Sequence, residues 1–377
     1  MEERDDRKYE SSYNDITVHE LMLRDDSRTL AYKKFIEENP HFFKRKVVMD
    51  VGAGTGILSL FAASAGAKKV YAVEASNISK LCKKIIEKNK VDGIVQVIHG
   101  RVEEVSIPEK VDVIISEWMG FYLLHESMLQ SVIVARDRFL KQDGQIFPSI
   151  ANLYACPTSL KSHHDEVNKF WKNFYGYNFK STTTSNKEPK ILTINPKDLI
   201  SDPHLITAID LMYADVNDFN IISTSLKFAF TKHDIMRGIA LWFDVIFGNE
   251  DDDNEPITKK ISQASNTLLE SSGTSLQVFS PGSNIMKPVT LSTSPLHPAT
   301  HWKQTVIPFF ESYFVRPGSW FKCEMILTQD ELHKRRYNIT VEVEDSGGDK
   351  EEDEISDVSD DIRAELEELV KNKMEEN

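Results

Sequence analysis

The chain has 377 residues, which is too long for one small domain and enough for two hydrophobic cores. No apolar run approaches the roughly 18 residues that a membrane span needs, so we expect no membrane partner. The net charge is −14, of which residues 342–377, with sixteen acidic and four basic side chains, carry −12. An acidic chain argues against direct nucleic-acid binding, which requires basic surface, and fits cationic protein partners.

The N-terminus and the cysteines point to a reducing compartment. Residues 1–8 are charged rather than apolar, so we expect a flexible start and no secretory signal. The three cysteines, Cys82, Cys156 and Cys323, form no CxxC pair, and neither a disulfide framework nor a metal site is predicted. We expect the protein to work in the nucleus, the cytoplasm or both.

Helical and strand patterns alternate in the first part of the chain. Residues 1–40 are assigned to an N-terminal helical lid, because the pattern over 13–39 is largely helical. Short apolar runs predict buried strands at 47–51, 69–73, 95–99 and 111–116. Helices are predicted at 57–65, 78–89 and 127–140. This alternation is typical of a parallel sheet covered by helices, so residues 41–148 are predicted to form one α/β domain.

The pattern changes after Pro148. Segments that read as strands follow one another without long helices between them, at 226–230, 239–247, 302–308 and 338–343. They predict an antiparallel β domain over residues 149–345. An aromatic segment at 162–177 within it is predicted to be helical. The long polar stretch 249–287 is predicted to be a flexible insertion, and 346–377 to be an acidic tail.

A glycine-rich turn follows the first predicted strand, in the order Asp50-Val-Gly52-Ala-Gly54-Thr-Gly56. Glycines permit a tight turn and close approach of the backbone to a ligand. The spacing is not the GxGxxG of nicotinamide dehydrogenases, which brings a pyrophosphate to a helix N-terminus, so a ligand without phosphates is favoured. Glu74 ends the next strand, where it can accept hydrogen bonds from two ribose hydroxyls. These features predict a nucleoside site.

Three further glutamates follow later strands. Glu103 stands at a turn that approaches an adenine ring in such folds, although a solvated loop carboxylate explains it equally well. Glu117 and Glu126 flank an apolar segment after the fourth strand, where open α/β sheets bind substrates. A buried carboxylate needs a cationic partner, and a planar guanidinium suits it. The alternative, two separate surface charges, is disfavoured by the aromatic and apolar residues between them.

Several blocks of the sequence resemble the protein arginine N-methyltransferases over residues 9–345. They are the glycine-rich turn at 51–59, the two-glutamate segment at 116–128, and Thr300-His-Trp302. The resemblance implies a Rossmann-like domain that binds S-adenosyl-L-methionine, then an antiparallel β-barrel domain with a helical dimerisation arm at 158–187. It also implies type I products, monomethyl and asymmetric dimethylarginine, because Met22 stands where the symmetric branch has Phe.

The resemblance also implies roles for individual residues. Glu117 and Glu126 would clamp the substrate guanidinium, and Asp25 and His301 would pair across the domains; either Glu126 or that pair would relay the proton. The implied cofactor contacts are His19, Arg28 (methionine carboxylate), Asp50, Gly52, Gly54, Gly56, Glu74 (ribose) and Glu103 (adenine). The implied substrate contacts are Tyr13, Met22, Met128 and Trp302. The family pattern Tyr-Phe-x-x-Tyr reads Tyr-Glu-Ser-Ser-Tyr over residues 9–13, which leaves the packing of the lid open.

Partners and competing functions follow from the same resemblance. We expect arginine-rich protein substrates such as histones, and a homodimer. An inactive cofactor-binding regulator or scaffold is the main alternative, and the intact acidic and histidine positions disfavour it. A methyltransferase for small molecules or nucleic acids is disfavoured because paired glutamates add negative charge to the site.

Overall fold

The computed structural model of the chain describes residues 2–179, 188–248, 286–346 and 349–351. Helices and strands alternate in its first part. The elements there are α1 (Glu2–Ser12), α2 (Ile16–Leu23), α3 (Asp26–Glu38), β1 (Val47–Val51), α4 (Ile57–Ser64), β2 (Lys69–Glu74), α5 (Ser79–Lys88), β3 (Val95–His99), β4 (Val111–Ser116), α6 (Met128–Phe139) and β5 (Leu140–Phe147). Each predicted strand of this part is present, and β5 is an additional one.

These five strands form one parallel sheet in the order β3-β2-β1-β4-β5. β1, with the sequence VVMDV, is buried at every position, as expected for a strand covered on both faces. The strand order reverses between β1 and β4, and ligands of open α/β sheets bind beyond the carboxyl ends of the strands at such a point. The glycine-rich turn and the two-glutamate segment both begin there.

The N-terminal helices differ in one respect from expectation. Flexibility was predicted for residues 1–8, and this was wrong for residues 2–8, which belong to α1. The reason is tertiary: the Asp6 carboxylate accepts hydrogen bonds from Arg101 at 2.5 Å and from Arg335 at 2.6 Å. Charge-assisted bonds of this kind hold a helix that its polar sequence alone would not. In α3, the Asp25 side chain caps the N-terminus by accepting from the Arg28 N–H.

The second part of the chain is mainly antiparallel. Its elements are β6 (Ile150–Thr158), α7 (Lys161–Lys172), β7 (Lys190–Leu192), β8 (His204–Asp210), β9 (Ile221–Ala229), β10 (Asp234–Phe247), β11 (Val289–Ser292), β12 (Gln304–Val315), β13 (Trp320–Gln329), β14 (Tyr337–Ser346) and β15 (Asp349–Glu351). The four strands predicted for this part correspond to β9, β10, β12 and β14. β15 lies beyond residue 345, so ordered structure extends into the stretch assigned to the tail.

Two antiparallel sheets make up this β domain. One has the order β15-β12-β10-β6-β8, with β11 paired to β10 and β7 to β12, and the other has the order β14-β13-β9. Within the described part of the chain no strand belongs to both ladders, so the expected barrel is a pair of sheets here. β9 meets β8 through the Thr224 hydroxyl, which donates to the Ile206 carbonyl at 2.8 Å, rather than through backbone bonds. The expected α/β plus antiparallel β architecture is otherwise confirmed.

Aromatic rings join the two parts of the fold. The Phe35 ring centroid lies 4.5 Å from that of Phe147 and 5.3 Å from that of Phe247. The Tyr32 ring lies 4.7 Å from Phe247, and its hydroxyl donates to the Ser116 carbonyl. All four side chains are buried, and each buried aromatic side chain contributes roughly 1.5–3 kcal/mol relative to exposure. Because these rings come from α3, β5 and β10, the lid, the sheet and the β domain share one core.

The predicted arm stands out from this core. α7 spans Lys161–Lys172 and has no buried residue, and it is shorter than the helix predicted at 162–177. The chain reverses after it, with positive φ at Tyr175 and Gly176. Phe170, Tyr175 and Tyr177 are 52%, 88% and 72% exposed. Such a set of exposed aromatic side chains is typical of an interaction surface.

Other predicted segments lie wholly or partly outside the described residues. They are positions 180–187 of the arm, 249–285 of the insertion, and 347–348 and 352–377 of the tail. No described helix is long and apolar enough to cross a membrane. In the same described residues, no group of three His, Cys, Asp or Glu side chains is arranged to hold a metal ion.

Candidate active site

The glycine-rich turn between β1 and α4 adopts backbone conformations that favour glycine. Gly52, Gly54 and Gly56 have φ values of 71°, 55° and 89°. A Cβ atom on Gly52 would come within 2.2 Å of the Met128 Cε, and one on Gly54 within 3.2 Å of the His19 ring. Only glycine adopts such conformations without strain, so the turn can approach a ligand with its bare backbone.

Glu74 is held at the end of β2 by two backbone groups. Its Oε2 accepts from the Gly54 N–H at 2.8 Å, and its Oε1 accepts from the Ser76 N–H at 2.7 Å. The residue is 8% exposed and lines the cavity described below. A carboxylate oxygen has more than one lone pair, so Glu74 can also accept bonds from neighbouring hydroxyls.

Asp50 lies behind the turn rather than in the cavity. Its Oδ2 accepts from the Ser59 hydroxyl at 2.7 Å, and its Oδ1 has no hydrogen-bond partner among the described residues. Burial raises the pKa of Asp50 to about 7. Asp50 therefore supports the turn from below, and Gly56 likewise does not line the cavity.

Glu103 is partnered rather than freely solvated. Its Oε1 accepts from the Ser131 hydroxyl at 2.6 Å, and its Oε2 lies 3.6 Å from the Arg101 Nε. Its side chain is 30% exposed and lines the cavity on the side of β3. This position agrees with a ligand contact better than with a solvated loop carboxylate.

Glu117 already has a cationic partner. The Arg28 Nε donates to its Oε2 at 2.9 Å, and the two side chains are 8% and 9% exposed. The Arg28 Nη1 also donates to the Met22 carbonyl at 3.1 Å. The predicted cofactor contact and the predicted clamp residue therefore form one buried ion pair.

Glu126 is held from both parts of the fold. The Tyr13 hydroxyl donates to its Oε2 at 2.7 Å, and its backbone N–H donates to the Arg335 carbonyl at 2.8 Å. Burial raises the pKa of Glu126, against the lowering effect of the Tyr13 and Tyr9 hydroxyls, and the charge of Glu117 adds to the increase. Its carboxylate thus binds a proton, or a cation, more readily than an exposed one.

Asp25 and His301 pair across the two parts of the chain, as expected. The His301 Nδ1 lies 2.7 Å from the Asp25 Oδ2, which also accepts from the His301 backbone N–H at 2.8 Å. Burial alone would raise the pKa of Asp25, but these bonds lower it below its ordinary value. The next residue, Trp302, donates from Nε1 to the Met119 carbonyl at 2.8 Å, which fixes the two-glutamate segment against the β domain.

One cavity of about 260 Å³ brings most of the predicted site residues together. The predicted residues in its wall are Tyr13, His19, Met22, Arg28, Gly52, Gly54, Glu74, Glu103, Glu117, Glu126, Met128, His301 and Trp302. Asp25, Asp50 and Gly56 stand directly behind that wall. The nucleoside-type features and the paired glutamates therefore belong to a single site.

Among the wall residues that the sequence did not predict as contacts are Tyr9, Arg101 and Arg335. The Arg335 guanidinium lies over the Tyr9 ring, 3.9 Å from its centroid. Arg335 belongs to the basic run 334–336, and nothing in that run predicts that Arg335 lies at the cavity. Tyr9 is the first tyrosine of the Tyr-Glu-Ser-Ser-Tyr motif, and Arg101 lies two positions before Glu103, so both are close in sequence to residues that were predicted as contacts.

Comparison with family models divides the chain at the same place as the fold does. Residues 35–148 match the model described as ribosomal protein L11 methyltransferase. Residues 149–265 and 278–347 match the model described as arginine methyltransferase oligomerization subdomain. The fold and the site thus define a Rossmann-like methyltransferase with an appended oligomerization subdomain.

Individual relatives narrow this class. The chain is 38% identical over 355 residues to the probable protein arginine N-methyltransferase 6 of Arabidopsis thaliana, covering 91% of this chain and 80% of that one. It is 37% identical over 342 residues to the probable protein arginine N-methyltransferase 6.2 of Oryza sativa subsp. indica, covering 89% and 84%. The chain belongs to the protein arginine N-methyltransferase family.

Solved structures agree with this assignment. The Trypanosoma brucei PRMT1 enzyme-prozyme heterotetrameric complex with AdoHcy has a TM-score of 0.71 at 29% identity, covering 90% of this chain and 98% of that one. The Arabidopsis thaliana protein arginine methyltransferase 10 has a TM-score of 0.71 at 28% identity, covering 91% and 98%. A PRMT6-SAH structure has a TM-score of 0.67 at 26% identity, covering 87% and 100%.

Proposed function

We propose that this chain is a type I protein arginine N-methyltransferase that moves a methyl group from S-adenosyl-L-methionine to arginine side chains of cationic proteins. The observation that carries the proposal is the shared cavity. Its wall holds Glu117 and Glu126 beside the glycine-rich turn and Glu74. Two carboxylates that are largely shielded from solvent suit a guanidinium, and the turn and Glu74 suit a nucleoside without phosphates.

The residues present fit the proposed cofactor. Gly52 and Gly54 line the cavity with bare backbone, which permits close approach of an adenosine, and Glu74 and Glu103 offer acceptors to its hydroxyl and amino groups. The buried Arg28 guanidinium is suited to a carboxylate such as that of methionine. Two of the similar structures were solved with AdoHcy or SAH, the demethylated form of this cofactor. When bound, the cofactor supplies an electrophilic methyl group on a sulfonium sulfur.

The protein must then make a guanidinium nucleophilic. The guanidinium is a poor nucleophile because its charge is delocalised and its pKa exceeds about 12. Glu117 and Glu126 draw the positive charge towards two of its nitrogens and hold the third in line with the methyl group. Such positioning supplies roughly 7–11 kcal/mol in favourable cases.

Two groups are placed to take the proton that the guanidinium loses. Glu126 lines the cavity, and its raised pKa makes its carboxylate a better proton acceptor than an ordinary glutamate. His301 also lines the cavity, and the Asp25 carboxylate orients its ring. The pH dependence of turnover in variants of Glu126 and His301 distinguishes these two routes.

The proposed product type rests on Met22. This residue lines the cavity, and its backbone carbonyl accepts a hydrogen bond from the Arg28 guanidinium. A flexible thioether leaves room for a monomethylated nitrogen to re-enter the reactive position. We therefore expect monomethyl and asymmetric dimethylarginine, and mass spectrometry that found symmetric dimethylarginine would contradict type I activity.

Substrates and assembly follow from charge and exposure. The net charge of −14 favours arginine-rich proteins, histones among them, as substrates. The three unpaired cysteines fit a reducing compartment, which is the nucleus, the cytoplasm or both. The exposed aromatic residues of the arm support a homodimer, and the matching family model is named for oligomerization. No observation favours nucleic acid or a membrane as a partner.

The direct test is incubation with methyl-labelled S-adenosyl-L-methionine and an arginine-rich peptide, alongside the same peptide with each Arg replaced by Lys. Label in the first peptide alone is the expected result. Tight cofactor binding without label in either peptide would support an inactive regulator or scaffold instead. Label in the lysine peptide would show that the clamp does not select a guanidinium.

A further inference from the structure

Arg335 comes from the connection between β13 and β14, 209 positions after Glu126, and yet the two residues exchange backbone contacts. The Glu126 N–H donates to the Arg335 carbonyl at 2.8 Å, and the Arg335 Nη1 donates to the Glu126 carbonyl at 2.8 Å. The Arg335 side chain is 17% exposed and lines the cavity. One residue of the β domain thus holds both polar groups of the Glu126 main chain.

These contacts matter because the Glu126 backbone is strained. Its φ is 75°, a value that residues other than glycine keep only where the surroundings impose it. The following residue, Ser127, has φ of 53°, and its hydroxyl donates to the Lys334 carbonyl at 2.7 Å. The direction of the Glu126 carboxylate depends on this backbone, and the connection containing Lys334 and Arg335 holds it in place.

The same guanidinium fastens the lid. The Arg335 Nε and Nη2 donate to the Asp6 Oδ1 at 2.9 Å and 2.6 Å, while its plane covers the Tyr9 ring. Asp6 also accepts from the Arg101 Nη1 at 2.5 Å, and Arg101 follows β3 beside Glu103. A single carboxylate of α1 therefore bridges the nucleoside side of the cavity and the residue that holds Glu126.

We propose that Arg335 is a positioning residue, which sets the place of Glu126 and makes it depend on the closure of α1 through Asp6. The inference rests on the proposed role of Glu126 in holding the substrate guanidinium. Closure of α1 over the cavity then completes the substrate clamp in the same movement. An enzyme whose lid is open has a poorly oriented Glu126.

The positive charge of Arg335 affects the pKa of Glu126, so its loss has a measurable effect that the loss of a merely structural contact would not have. The ionisable groups facing Glu126 are Tyr9 and Tyr13 from the N-terminal residues, Glu117 from the segment after β4, and Arg335. Among these four, Arg335 is the cation, and it opposes the effect of burial on the Glu126 pKa. Loss of its charge therefore moves the acidic limb of kcat/KM to higher pH.

The test compares Arg335→Met, Arg335→Lys and Asp6→Asn with Arg336→Met, a neighbouring exposed arginine outside the cavity. Arg335→Met should lower kcat by roughly tenfold or more and shift the acidic limb upward. Arg335→Lys should lower kcat but keep the limb near that of the wild type. Asp6→Asn should lower kcat and speed the dissociation of S-adenosylhomocysteine, and it should add little to Arg335→Met in the double variant. Arg336→Met should behave as the wild type.

Melting temperature and a Glu126→Gln variant separate the possible failures. Wild-type kcat and pH profile in folded Arg335→Met, or full additivity with Asp6→Asn, would overturn the positioning role. If Arg335→Met does not fold, the test rests on Arg335→Lys and Asp6→Asn. A wild-type kcat in both of these variants would overturn the positioning role. If Glu126→Gln itself retains full activity, the proposed role of Glu126 fails, and the inference with it.

Discussion

Glu117 and Arg28 form a buried ion pair, with the Arg28 Nε 2.9 Å from the Glu117 Oε2. One of the two carboxylates that we propose as a substrate clamp therefore already binds the protein's own guanidinium. Among the described residues, its other oxygen, Oε1, accepts a long bond of 3.3 Å from the Met119 N–H. A substrate arginine can approach Oε1 while Arg28 keeps Oε2, so the cofactor side and the substrate side of the cavity meet at this carboxylate.

Glu117→Gln should reduce turnover to below a tenth of the wild-type value. Removing one charge of a buried pair typically costs about 2–5 kcal/mol, part of which comes from the group left unpaired. Cofactor affinity should stay close to normal, because the Gln carbonyl can still accept from Arg28. Steady-state kinetics and calorimetry measure the two effects, with Glu37→Gln, at an exposed position on α3, as the control. Turnover above a tenth of the wild type would argue against the clamp.

Tyr13→Phe should shift the acidic limb of the pH–rate profile to higher pH. The Tyr13 hydroxyl donates to the Glu126 carboxylate and lowers its pKa, which burial raises. Without that bond the charged form is less stable, so Glu126 takes up a proton at a higher pH and the charged clamp is lost earlier on acidification. An equal shift in a His301→Gln background would assign the limb to Glu126. A limb that vanishes in His301→Gln would assign it to His301 instead.

Asp25→Asn should destabilise the fold near neutral pH but not in acid. Asn caps a helix about as well as Asp, so the change chiefly removes the charge that pairs with His301. The folded-state pKa of Asp25 is lowered, so its contribution is present above the unfolded value of about 3.9 and disappears as the pH falls through the folded value. Urea unfolding of both proteins at pH 7 and pH 3 measures this. A constant difference between them would contradict the assignment.

Replacing Phe170, Tyr175 and Tyr177 by Ser should convert a dimer into a monomer. Phe170 and Tyr175 contact neighbouring aromatic rings of the arm, but all three side chains stay exposed. Their loss should therefore leave the melting temperature of the monomer nearly unchanged. Light scattering at micromolar concentration reads the mass directly. Tyr213→Ser, at a residue 73% exposed outside the arm, is the matched control. A wild-type chain that scatters as a monomer would refute the dimer itself.

Deleting residues 352–377 should leave kcat and the melting temperature unchanged. These residues carry eleven acidic and three basic side chains, which attract a basic substrate. This attraction weakens as salt is added, because exposed charges are screened beyond about 8–10 Å at physiological salt. We expect a higher KM for a basic protein substrate at low salt and no difference at high salt. A lower KM would mean that the tail competes with substrates for basic regions. An unchanged KM at every salt concentration would leave the tail a solubilising role only.

The local parts of the fold and site were predictable from the sequence, whereas the long-range parts were not. Strands such as β1 are continuous apolar runs, and the glycine-rich turn and Glu74 follow strand ends directly, so pattern and position determine them. The helix over residues 2–8 was mispredicted as flexible because α1 depends on Arg101 and Arg335, which are distant in sequence. The pairing of Arg28 with Glu117 was equally invisible, since each residue had a separate expected partner.

The described residues that flank the connection between β10 and β11 lie close together in the fold. Phe247 pairs directly with Val289, and just before β11 the Lys287 N–H donates to the Asn39 Oδ1 at 2.7 Å. The described residues on either side of 249–285 therefore lie side by side, where β10 and β11 are already joined by backbone bonds. Since closure entropy grows only slowly with loop length, this position tolerates large changes in length. It is a natural place to splice in a fluorescent reporter or to cut the chain into two complementing halves.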